Sequence, residues 1–164
     1  MSEFIKKAYE ANKVKEVKDA FDEFPPEEEW HKGKIEYIIE ESKIVYGDTC
    51  EIGDIVFVRK YTYDDGKEGT NHFFVIVDYD NIAVPIEYFG MIIASNLDKL
   101  KYNTNVLLKS DNHNNLDRDS LVKTDDIYKL SKNQIAFKIG KVDIDKVEEY
   151  KRSFLKQVDK AKRS

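Results

Sequence analysis

At 164 residues the chain has room for one cored domain and an appendage but not for two ordinary domains, on a scale of about 100 to 200 residues each. Its hydrophobic content of 41%, with 10 Tyr and 9 Phe, is enough to close a core, which excludes disorder along the whole length. A formal charge of -5 and a pI near 5.3 exclude an overall basic coat for nucleic acid, so phosphate contacts would have to come from local patches of Lys and Arg.

The first residues, Met1 to Lys7, lead into mixed charges rather than an apolar stretch with a small-residue cleavage site, and no apolar run approaches the roughly 18 residues of a membrane span. The expected compartment is the cytoplasm. A single cysteine, Cys50, leaves no intrachain disulfide and fits a reducing environment. With no Cys-His signature around it, Cys50 reads as a partly buried structural thiol rather than a nucleophile.

Phe4, Ala8, Ala11, Val14, Val17, Ala20 and Phe21 recur at steps of three and four, which predicts an amphipathic N-terminal helix ended by Pro25-Pro26. An acidic stretch with Trp30 follows, then a short helix or extended piece from about Lys34 to Val45. Residues 1–46 hold 8 basic and 12 acidic side chains, most of the chain's negative balance. Near residue 47 the rhythm changes to short β-rich runs, which places a boundary between a helical arm, 1–46, and a β unit, 47–164. Gly53-Asp54 opens the strand Ile55 to Lys60, and a polar loop with Asp65-Gly66 hands over to a second strand, His72 to Val77, making a hairpin. Further strands are expected at Ile82 to Ile86, Met91 to Ala94, Val106 to Leu108 and Ser120 to Lys123. After Asp126 the pattern predicts a short helix beginning near Ser131 and an extended piece from Ala136 to Ile139. A strong amphipathic helix follows from Asp143 to about Lys160, capped by Asp143, with Ile144, Val147, Tyr150, Phe154, Leu155 and Val158 on its apolar face.

Gly53-Asp54-Ile55-Val56, Phe74-Val75-Ile76-Val77, Ile92-Ile93-Ala94-Ser95, Leu116 to Val122 and Ile139-Gly140-Lys141-Val142 together, in that order, resemble the MazF/PemK family of toxin endoribonucleases over about residues 51–158. The resemblance implies a mainly β, α+β fold: an SH3-like small barrel with a C-terminal helix, here with an added N-terminal helical arm. It also implies a metal-independent ribonuclease acting on single-stranded RNA, without a cofactor, as a homodimer restrained by a cognate antitoxin. The family places an Arg-Pro pair at the start of the second strand and a Thr or Ser at the end of a later one. Here those positions read His72-Phe73 and Ser95.

Internal transfer on RNA needs a base for the 2′-OH proton, an acid for the leaving oxygen and donors to the phosphate. His72 offers acid or base chemistry near neutral pH, and Ser95 a hydroxyl donor. Arg59 and Lys67 can offset phosphate charge, with Lys60 and Asn71 beside them, while Tyr61 and Tyr63 can stack bases or simply belong to an exposed hairpin. Strand-end packing is the plainer reading of both His72 and Ser95. His31 and His113 lack a second ligand at metal-binding spacing, Asp64-Asp65 and Asp125-Asp126 read as solvated turns, and no phosphate-cradling glycine loop is present. Asp117-Arg118-Asp119 reads as local ion pairing in a loop.

The Phe24 to Trp30 stretch matches neither strand nor barrel. One reading lays it across the barrel with its glutamates in place of RNA phosphates; the other packs an extra helix on the barrel. Two further functional readings stand beside the ribonuclease. One is a catalytically silent relative binding nucleic acid, RNA or DNA, or a protein through the same groove, with His72 replacing the family arginine. The other is an SH3-like protein-interaction module.

Overall fold

The computed structural model describes residues 2–19, 50–58, 61–63, 68–69, 72–82, 86–131 and 134–163. Helix α1 (Glu3–Glu10) leads into strand β1 (Val14–Asp19), and the strands β2 (Asp54–Val58), β3 (Tyr61–Tyr63), β4 (Glu68–Gly69), β5 (His72–Asp80) and β6 (Glu87–Ala94) follow. A 3-10 turn (Leu97–Lys101) precedes β7 (Asn105–Leu108), β8 (Ser120–Lys123), β9 (Ile127–Ser131), β10 (Ile135–Lys141) and the C-terminal helix α2 (Ile144–Arg163). The strands form one bent, open sheet in the order β10-β2-β5-β6-β9-β1-β3-β4, with β7 and β8 branching from the far end of β6. The mainly β, barrel-like reading with a helix at each end therefore holds, with the sheet left unclosed.

The centre of the sheet explains the uninterrupted apolar runs in the sequence. Ile55 and Phe57 of β2, Phe73, Val75 and Val77 of β5, and Phe89, Met91 and Ile93 of β6 join one cluster; Val56, Val58, Phe74, Ile76, Tyr88 and Ile92 join another. Alternate residues serve opposite faces of a strand, so a strand buried on both faces must be apolar at every position. The first cluster is the main core. Val147, Tyr150, Phe154 and Val158 of α2 close it, and Phe57 stacks on Phe137 with ring centroids 5.0 Å apart. Ile144, expected on the same helix face, is exposed, while Leu155 is partly buried.

Two expectations are corrected. The first helix stops at Glu10, not near Phe21. Asn12 takes a left-handed φ of 57°, and the Lys13 and Asn12 amides donate to the carbonyls of Ala8 and Tyr9, the paired bonds that close a helix C-terminus. Released from the helix, Val14 and its successors pair in parallel with β9, Val14 opposite Ile127. The short helix expected to begin near Ser131 falls on residues 132–133, outside the described residues, and on Gln134, which is in a 3-10 turn; Ser131 itself ends strand β9, whose Ile127, Tyr128 and Leu130 fill both faces beside β6. No strand runs through Ile82 or Ile86: Ile82 lies in a bend, 77% exposed, and β6 starts at Glu87. The expected segment from Lys34 to Val45, the Pro25-Pro26 stop and the boundary near residue 47 lie outside the described residues.

Helix α1 is built into the main core. Phe4, Ile5 and Ala8 are buried there, and the Phe4 ring lies 5.4 Å from that of Phe154. Ser2 caps the helix, accepting from the Ile5 amide, and its hydroxyl donates to Asp78 at 2.7 Å. Lys151 of α2 reaches the same carboxylate at 3.5 Å and lies 4.9 Å from the Phe4 ring centroid. One buried carboxylate thus ties α1, β5 and α2 together, its burial supported by a cation and two hydrogen bonds.

Candidate functional site

The hairpin expected between the first two barrel strands is present as β2 and β5, with Val58 opposite His72 and Val56 opposite Phe74. On its other edge β5 runs antiparallel to β6, with Phe73 opposite Ile93. His72 is the first residue of β5, and β6 ends at Ala94, so Ser95 leaves the ladder at the end where His72 enters it. Ser95 is exposed, and its hydroxyl has no hydrogen-bond partner among the described residues. It caps nothing there. The residue that caps the following turn is Asn96, whose side chain accepts from the Asp98 amide at 3.1 Å.

Of the expected RNA-binding residues, Arg59, Lys60, Lys67 and Asn71 lie outside the described residues, as do His31 and the Phe24 to Trp30 stretch. Tyr61 and Tyr63 are the two ends of β3, opposite Asp19 and Val17 of β1. Among the described residues, β3 and β4 are paired only with each other and with β1, so the connection between β2 and β5 is tied to the N-terminal segment. Nothing in the sequence spacing pointed to this link, since β1 read as helix.

Around the start of β2 the charges are locally satisfied. Gly53 has a φ of 96°, which fits glycine, and its amide donates to Ile76 at 2.7 Å. Asp54 is buried, accepts from the Glu51 amide at 2.8 Å and lies 3.5 Å from the Lys138 ammonium. Lys141 pairs with Glu51; the contact draws the carboxyl below its usual range and raises the lysine. Burial, with Asp54 adding to it, pushes the Cys50 thiol up to about 11. The thiolate is then scarce at neutral pH, as a structural cysteine requires.

The Asp117-Arg118-Asp119 segment is a loop brace, as its sequence suggested. Arg118 lies 3.6 Å from Asp117, and Asp119 accepts from the Ser110 amide at 2.9 Å. Buried Asn114 holds the same loop by accepting from the amides of Asp111 and Leu116 and donating to the Lys109 carbonyl. These bonds are structural, and the loop meets β10 through the Asn115 side chain, which donates to the Ile139 carbonyl at 2.7 Å, and the His113 carbonyl, which accepts from the Lys141 amide at 2.9 Å. Among the described residues, no group of three or more His, Cys, Asp or Glu side chains could hold a metal ion.

The sequence reading passed over the turn after Ser95. Lys99 and Lys101 are exposed there, neither is in an ion pair among the described residues, and the Lys101 ammonium lies 5.4 Å from the ring centroid of Tyr102. A Lys-x-Lys-Tyr run directly behind a candidate phosphate donor was the available signal.

An open β-sheet whose main core is covered by a C-terminal helix defines a small barrel-like domain. A family profile described as PemK-like, MazF-like toxin of type II toxin-antitoxin system matches residues 51–158, about two thirds of the chain. The chain belongs to this family and is a toxin component of such a system. No curated protein matches it. Helix α1 and strand β1 precede the matched stretch, and among the described residues no helix is long and apolar enough to cross a membrane.

Proposed function

We propose that this toxin is an endoribonuclease that cuts single-stranded RNA without a metal ion, working as a cytoplasmic homodimer held in check by a cognate antitoxin. The observation that carries the reading is the exposed Ser95 hydroxyl, without a hydrogen-bond partner among the described residues, at the ladder end where His72 begins β5. In the reaction the RNA 2′-oxygen attacks the adjacent phosphorus while the P–O5′ bond breaks. His72 accepts the 2′-OH proton and, as the imidazolium, returns a proton to the departing 5′-oxygen. Ser95 donates to the phosphate oxygen on which charge builds, and cations of the β2–β5 connection offset that charge.

The test is cleavage of a long single-stranded transcript in EDTA by wild type, Ser95→Ala and His72→Ala. Cutting by wild type is expected to fall roughly 100- to 1,000-fold in Ser95→Ala, as on loss of one charge-stabilising donor. It should fall on the order of 100- to 10,000-fold in His72→Ala, as on loss of a general base. Wild type that cuts no transcript favours the second reading, a silent relative binding nucleic acid or protein through the same surface, for which the substitution of His72 for the family arginine is the supporting observation.

A further inference from the structure

We infer that the turn after Ser95 is a nucleotide-stacking subsite: Tyr102, with Lys99, Lys101 and Lys123, holds single-stranded RNA beside the phosphate that Ser95 contacts. The inference rests on the ribonuclease reading and adds a subsite to it. Tyr102 is 54% exposed although the turn around it is firmly built. Its amide donates to the Lys99 carbonyl at 3.1 Å, its carbonyl accepts from the Asn105 amide at 3.1 Å, and the Asn105 side chain donates to Lys99 at 2.9 Å. A ring held outward on a rigid turn loses little freedom when a base stacks on it, so the stacking energy is kept as affinity.

The charge around the ring complements RNA. In a chain of net charge -5, the stretch from Ser95 to Lys109 holds three lysines and a single aspartate, Asp98. Across the ladder Asn105 pairs with Lys123, which adds a cation to the strand beside the turn. None of Lys99, Lys101 and Lys123 is in an ion pair among the described residues. With the Lys101 ammonium 5.4 Å from the centroid, the ring has a cation at hand for the phosphate of a stacked nucleotide. Leu97 and Leu107, 39% and 42% exposed, give the patch apolar surface. This pairing of an aromatic plane with unneutralised lysines suits a single strand, whose bases are free to stack, better than a duplex.

The test uses the full chain and a fluorescein-labelled, mixed-sequence 2′-O-methyl RNA that cannot undergo internal transfer, read by anisotropy across a salt series. Tyr102→Ala is expected to weaken binding about tenfold or more and Tyr102→Phe to leave it within about twofold, as for stacking. The double variant Lys99→Ala, Lys101→Ala should reduce the salt slope by about 1.4, from two lost phosphate contacts. All replaced side chains are exposed, so the variants should melt with wild type; circular dichroism checks this. Wild type that binds RNA with Tyr102→Ala and the lysine variant unchanged in affinity and slope overturns the inference alone. A Tyr102→Ala protein that keeps its RNA affinity but changes oligomeric state in light scattering also overturns it, assigning the patch to a second copy of the chain. Wild type that neither binds nor cuts RNA overturns both this subsite and the ribonuclease reading.

Discussion

Replacing Ile5 by alanine tests whether the segment ahead of the family match is part of the domain or an ornament. Ile5 has no exposed surface and sits in the main core with Phe4, Ala8 and the inner face of α2. The substitution removes three carbons, about 2.4 kcal/mol of transfer free energy at ~0.8 kcal/mol for each. The cavity left behind raises the expected loss to about 3–4 kcal/mol, inside the usual 2–5 kcal/mol range for a buried Ile→Ala change. Urea unfolding followed by circular dichroism should show a lower midpoint with an unchanged slope. Lys6→Ala, on the exposed side of the same helix, should stay within about 0.5 kcal/mol of wild type. A loss below about 1 kcal/mol for Ile5→Ala would refute the reasoning, showing that α1 undocks at little cost. The expected result also means that deleting residues 1–46 damages the core, so truncation cannot isolate a regulatory role for the arm.

Gly140→Ala should destabilise the protein by roughly 3 kcal/mol or more, because a Cβ there would overlap the Asn114 carbonyl and come within 2.6 Å of the His113 oxygen, both backbone atoms that cannot turn aside. A thermal melt checks it, and wild-type stability would show that the loop shifts freely. Tyr150→Phe should be neutral or stabilising by about 1–2 kcal/mol, since the Tyr150 hydroxyl is buried without a hydrogen-bond partner among the described residues. Burial also raises the Tyr150 pKa far above its ordinary 10.0, so the unfolded chain releases this proton first and wild-type stability falls as pH rises above about 10. Cys50, lifted from 9.0 to about 11, acts in the same direction from pH 9 in both proteins. The gap between Tyr150→Phe and wild type should therefore be flat below pH 10 and widen above it in urea titrations; a clear loss of stability in the variant at neutral pH would mean that the hydroxyl is satisfied.

The sequence by itself determined the pieces that local chemistry dictates. Continuous β-branched and aromatic runs marked β2 and β5, the three-and-four spacing of Val147, Tyr150, Phe154 and Val158 marked α2, and the Gly53-Asp54 turn with its downstream partners carried the family resemblance. Ser95 was legible as a strand-end hydroxyl because it follows a short apolar strand directly. The tertiary structure alone decided how the remaining segments were used. Val14 and Val17 suit a helix face and a strand equally, and the pairing of β1 with β9 and β3 settled the choice once Asn12 had ended the helix. Ile127 to Ser131 is too short for its period to declare itself, and burial on both sides made it strand β9 beside β6. That Ser2 and Lys151 converge on the Asp78 carboxylate depends on contacts between residues far apart in the chain. Local propensity cannot encode such contacts, because they acquire their energy only when the sheet and the two helices close on a common core.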